Sequence, residues 1–128
     1  MEIREISTAA LAYLGDCVLE LCVREYLVRK GISTSGHLNE AALGFVRASA
    51  QAHAMKNILP LLNETEEGYF RRGRNVGHSS VPKNATVSDY RIATGMEVLF
   101  GYLHLSKQTP RIAELFAAAY PLSGEQPD

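Results

Sequence analysis

The chain has 128 residues, of which 46% are hydrophobic and 21% charged, with a formal net charge of −1. That suffices for one domain over residues 1–128, and the near-neutral total excludes a general attraction to polyanions or membranes. The opening MEIREIST lacks the apolar run of a signal peptide, and no apolar run approaches the roughly 20 residues of a bilayer span.

The first predicted element is a helix capped by Ser7 or Thr8, running to about Lys30 and stopped by Gly31. At the usual rise it is roughly 35 Å long, enough to cross the domain. Cys17 and Cys22 fall about 140° apart around its axis and cannot bond to each other there. With no disulfide logic and no export signal, the expected location is the cytoplasm. Thr34 or Ser35 opens a second helical region that ends near Pro60, with an expected break near Gly44. Its apolar residues Leu38, Ala41, Ala42 and Phe45, then Ala48, Ala52, Met55 and Leu59, keep spacings of three and four. A further helix starts at Asn63 or Thr65, with glutamates in its first turn and arginines at its end, as the helix dipole favours. Residues 73–87, GRNVGHSSVPKNATV, read as a loop. Thr86 or Ser88 then caps a helix that carries Glu97 and ends between Ser106 and Thr109. Pro110 sits in the first turn of a last helix, before the polar tail PLSGEQPD. Alternation of β-branched residues is absent, so the expected fold is all-α, a single domain of five to seven helices with its core at about residues 8–120. Tyr13, Phe45, Phe100 and Phe116 read as core, and isolated His53 and His104 lack a second histidine at metal spacing.

Two carboxylates stand out. Asp16 lies inside AALAYLGDCVLELCV, and Glu97 is the only charge in IATGMEVLFGYLHL before its histidine. Both stretches read as buried helices, where an unpartnered carboxylate costs several kcal/mol. One divalent cation shared between the two helices would satisfy both acids. Caps on neighbouring helices, or pairing with an arginine, would do so equally. Glu20, one turn beyond Asp16, is expected to pair with Arg24.

The loop region is the second clue. From Arg71 to Arg91 there are five bases, Arg71, Arg72, Arg74, Lys83 and Arg91, against the single acid Asp89. This local excess suits a polyanion, and the asparagines Asn75 and Asn84 can donate to a phosphate backbone. A solvated loop whose arginines pair with the glutamates at 64, 66 and 67 accounts for the same pattern. Taken together, the acids and the basic segment fit phosphodiester hydrolysis, which needs a metal flanked by phosphate-binding groups.

LAYLGDCVLEL resembles the LEFLGDxVLEL signature of the ribonuclease III family, and MEVLFGYLHL resembles its second motif, FEALIGALYL. The RRGRN…VPKN…Y segment and the absence of a double-stranded-RNA-binding domain resemble the Mini branch of that family. The resemblance implies an all-helical homodimer with a basic valley that receives an RNA duplex. It implies magnesium as cofactor, and hydrolysis to 5′-phosphate and 3′-hydroxyl ends. It also implies a role in maturing the 23S ribosomal RNA precursor, with a large-subunit ribosomal protein as a further candidate partner and no membrane. By position, Asp16 and Glu97 take the places of catalytic, metal-binding acids. Arg71, Arg72, Arg74, Asn75, Lys83, Asn84 and Arg91 become candidate RNA contacts. Two family acids are absent, because Ala12 and Thr94 stand at their positions, so the implied ligand set relies more on water. The loop reads RGRNVGH where the Mini branch commonly reads RGRNAK, which places Gly77 and His78 where a lysine is expected. Gly15 and Gly101 lack side chains and would let the two acid-bearing helices approach closely. A silent RNA-binding relative and a helical protein-interaction domain are the competing readings; burying two acids without a catalytic use counts against the former.

Overall fold

A computed structural model describes residues 1–76, 81, 83 and 85–121. Among these described residues there are six helices: α1 (Thr8–Arg29), α2 (Ser35–Val46), α3 (Ala48–Ile58), α4 (Glu64–Asn75), α5 (Val87–Leu105) and α6 (Thr109–Ala119). Single 3₁₀ turns at Ile3–Glu5 and Leu59–Leu61 complete the regular structure. No strand occurs among the described residues, and no helix among them is long and apolar enough to cross a membrane.

Local chemistry sets most boundaries. The Ser7 hydroxyl accepts from the Ala10 amide at 3.1 Å and starts α1, while Gly31, at φ +93°, takes the left-handed turn that ends it. Asn63 and Glu66 form a reciprocal capping box on α4, each bond 2.9 Å long. Thr86 accepts from the Asp89 amide at 3.0 Å and opens α5.

α5 is the central element, packed against α1, α4 and α3. Met96, Leu99, Phe100 and Leu103 are fully buried and share one core cluster with Val23 of α1, Met55 and Ile58 of α3, and Leu115 of α6. Two glycine contacts permit the closest approaches. A Cβ on Gly15 would clash with the Glu97 carbonyl oxygen and lie 2.5 Å from its carbon. A Cβ on Gly101 would meet the Leu11 carbonyl. The two acid-bearing helices therefore touch backbone to backbone, as the glycines suggested.

Four expectations need correction. The break in the second helical region falls at Arg47, in extended conformation (φ −62°, ψ 147°), and not at Gly44. Gly44 is exposed in the last turn of α2; the chain turns where α3 must carry Ala52, Met55 and Ile58 into the core while α2 stays on the surface with no fully buried residue. The loop starts later than residue 73, because Gly73 is buried against the Cα of Gly95 and serves helix packing instead of termination. Tyr13 is 86% exposed and not core, and Asp16 is also exposed. α1 is apolar on two sides: Leu11, Gly15, Val18, Leu19 and Val23 face inward, while Tyr13, Cys17 and Leu21 face outward with Asp16.

One strong interaction was not foreseen. Glu66, 1% exposed, receives both Nε and Nη2 of Arg111 at 2.8 Å each, and Arg111 also donates to the Leu61 carbonyl at 2.8 Å. This forked pair ties the start of α4 to α6 and holds the Glu66 carboxyl below its usual range.

Candidate active site

Two crossing helices build the site. From α1, Thr8, Ala9 and Ala12 line a cleft of about 280 Å³. From α5, Tyr90, Thr94 and Glu97 line its other wall, with Val76 beyond the end of α4. The spacings, four residues on α1 and four then three on α5, put each set on one helix face. Ala12 and Thr94, the positions of the two absent family acids, thus face the same space as Glu97. Thr94 instead donates its hydroxyl to the Tyr90 carbonyl at 2.9 Å and stays neutral.

Asp16 and Glu97 are brought together. Burial pushes the half-buried Glu97 carboxyl up to about 8, and the negative charge of Asp16 and a hydrogen bond shared with it act in the same direction. The premise that both acids are buried fails for Asp16, but the juxtaposition expected of them holds. Two acids crowded on one spot, one held protonated for want of a counter-charge, form a donor set that a hard divalent cation fits. Among the described residues no group of three or more His, Cys, Asp or Glu could hold a metal. A divalent cation here would rest on Asp16 and Glu97, with water completing its shell.

The basic residues divide into three sets. Arg74, Asn75 and Arg91 line one open hollow with Ser88, Val87 and Ile92. It adjoins the Glu97 cleft through the neighbours Val76 and Tyr90. There the Arg74 guanidinium lies 5.6 Å over the Phe70 ring and donates to Asn75 at 3.2 Å. Arg71 is exposed and paired with Glu67 at 2.9 Å, as the solvated reading of these arginines has it, and Lys83 is exposed. Arg72 turns inward, bonded to the N-terminal segment. Asn84, Gly77 and His78 lie outside the described residues. Glu20 pairs with Arg24 at 3.0 Å, as expected. Thr8 was seen in the sequence only as a possible cap; that it lines the cleft required the crossing of α1 over α5.

The family model for the ribonuclease III domain matches residues 9–108. The chain belongs to the ribonuclease III family. Within it, the chain is 43% identical over 114 residues to the Mini-ribonuclease 3 of Enterococcus faecalis, covering 88% of this chain and 86% of that one. Identity to the Mini-ribonuclease 3 of Brevibacillus brevis is also 43%, over 112 residues, covering 88% and 84%. A crystal structure of a Fusobacterium nucleatum protein superposes with a TM-score of 0.81 at 30% identity, covering 89% of this chain and 91% of that one. These matches put the chain in the Mini-ribonuclease III branch, and it is an endoribonuclease by family.

Proposed function

We propose that this endoribonuclease cuts double-stranded RNA with magnesium, as a homodimer, and matures the ends of the 23S ribosomal RNA precursor in the cytoplasm. The observation that carries the reading is the meeting of Asp16 and Glu97 at a cleft that adjoins the Arg74–Asn75–Arg91 hollow. Asp16 and Glu97 would hold the cation, which supplies a lowered water pKa and neutralisation of charge on the phosphoryl oxygens. Arg74, Asn75 and Arg91 bind backbone phosphates beside the cleft, with Arg71 and Lys83 at its periphery. Such contacts hold the duplex in line with the acids but read no bases, so sequence preference is modest. The ribosomal substrate, and any large-subunit protein acting with it, follow from the resemblance to the Mini branch.

Homodimerisation is supported by the outer face of α1. Tyr13 (86% exposed), Cys17, Leu21 (65%) and Val28 (61%) recur at helical spacing, and α2 beside them buries no residue completely. A second copy would cover this face and set two clefts on one duplex. The test is cleavage of a long RNA duplex with magnesium, against single-stranded RNA, DNA duplex, a chelator lane and Asp16→Asn. Duplex-specific cutting that the chelator and the variant both abolish is expected, with duplex binding and fold retained. Activity persisting in Asp16→Asn would remove that residue from the site.

A further inference from the structure

Arg72 sits in the middle of the basic segment, yet its guanidinium is occupied on both sides. Nη2 donates to the Ile6 carbonyl at 2.8 Å and to Thr8 Oγ1 at 3.1 Å. Nε donates to the same hydroxyl oxygen at 3.3 Å, and Nη1 reaches the Arg4 carbonyl at 3.5 Å. The group lies over the Tyr69 ring at 5.3 Å, and Tyr69 stacks on Tyr102 at 4.2 Å with 12° between planes. α4, α5 and the N-terminal segment are thereby joined through one half-buried cation.

Thr8 is where this column meets the cleft. It is the first residue of α1, half-buried, and lines the cleft with Ala12 and Glu97. Its oxygen accepts two charge-assisted bonds from Arg72, and its hydroxyl proton goes to no acceptor among the described residues. A hydroxyl with its lone pairs engaged by a guanidinium is polarised and left to act as a donor. Of the cleft's lining, Ala9, Ala12 and Val76 carry no side-chain acceptor, while Thr94 and Glu97 stand on the other wall with no hydrogen bond from Thr8.

We propose that the Thr8 hydroxyl donates to a non-bridging phosphate oxygen of the substrate at the Glu97 cleft. Arg72 is then a positioning residue that fixes this hydroxyl, and it does not itself touch phosphate. The inference rests on the reading of the cleft as a phosphodiester hydrolase site. Because charge on the non-bridging oxygens grows toward the transition state, the bond counts more in kcat than in KM.

The experiment compares Thr8→Val, Thr8→Ala and Thr8→Ser with wild type in steady-state cleavage of a labelled RNA duplex. Binding of the uncut duplex is measured in a Glu97→Gln background. Both hydroxyl-free variants are expected to lose roughly tenfold in kcat, the size of one lost charge-assisted bond. Their KM and duplex affinity should change less than about twofold, and Thr8→Ser should retain activity. Two hydroxyl-free variants guard against a fold defect peculiar to valine. Arg72→Lys, which loses the forked geometry, should resemble them, and adding Thr8→Val to it should cost little more because the pair acts as a unit. Arg72→Gln should leave the salt dependence of duplex binding unchanged; a slope reduced by about 1 would make Arg72 a phosphate contact and overturn the assignment. Wild-type kcat in Thr8→Val, or equal loss in Thr8→Ser, would overturn it as well. Cleavage that is lost in Asp16→Asn but unimpaired in Thr8→Val refutes this inference alone. Absence of duplex cleavage by wild type refutes the nuclease reading, and the inference with it.

Discussion

Replacing Gly15 with alanine tests how tightly the site depends on helix contact. The new Cβ would strike the Glu97 carbonyl oxygen, lie 2.5 Å from its carbonyl carbon and 2.9 Å from the Gly101 nitrogen. All three are backbone atoms of a central helix and cannot swing aside as a side chain would. Moving the carbonyl carbon out to the roughly 3.5 Å of an ordinary carbon contact parts α1 from α5 by at least about 1 Å, and the nearer oxygen demands more. Alanine favours a helix over glycine by up to about 1 kcal/mol, which opposes the loss. Overpacking of a well-filled core typically costs about 1–3 kcal/mol, and here the strain falls on rigid backbone, so a net loss of about 2 kcal/mol or more is expected. For a domain of this size that is on the order of 8 °C in Tm. Activity should fall further than stability, on the order of 100-fold, since Asp16 follows Gly15 and would shift by about 1 Å relative to Glu97. Gly68→Ala serves as the control. It lies within α4 with nothing within 4 Å of a built Cβ, so alanine should stabilise it by about 0.5–1 kcal/mol. Calorimetric melts and duplex cleavage of both variants decide the matter. A Gly15→Ala protein with unchanged Tm and near-wild-type activity would refute the backbone contact as the device that sets the acids together.

Three other outcomes follow from the same geometry. Because the folded-state Glu97 carboxyl is raised to about 8 from an ordinary 4.5, its stabilising contribution is full below about 4.5 and is lost as pH rises through 8. The Tm of metal-free protein should therefore fall between about pH 5 and pH 9, less so in Glu97→Gln, and millimolar magnesium should recover it at the alkaline end; a Tm independent of pH and magnesium would contradict this. Arg111→Met strands the Glu66 carboxylate at 1% exposure and should cost about 3–5 kcal/mol in urea unfolding; a loss under about 1 kcal/mol would mean that water reaches the pair. Leu21→Asp places a charge on the outer face of α1 and should yield a monomer in sedimentation with the helical signal retained, whereas an undisturbed dimer would place the interface elsewhere.

Helix existence and most helix ends were legible in the sequence because their causes are local. Ser7, Asn63 and Thr86 cap the residues that follow them, and Gly31 supplies the positive φ that ends α1. The pairing of Asp16 with Glu97 was also anticipated, from two motifs far apart in the chain. Other features depended on which face each helix turns inward, and apolar content alone does not say. α1 is apolar nearly all round, so only its crossing with α5 decides that Gly15 and Leu11 are inside while Tyr13 and Asp16 are outside. The break at Arg47 depends on α3 being drawn into the core, and Gly73 reads as a helix stop until Gly95 is seen against it. Arg72 and Arg74 sit two residues apart in one basic run, yet one grips the N-terminal segment and the other lines the hollow beside the cleft. Composition could assign both to a polyanion; 100° per residue around α4, and what lies on each side, separate their roles.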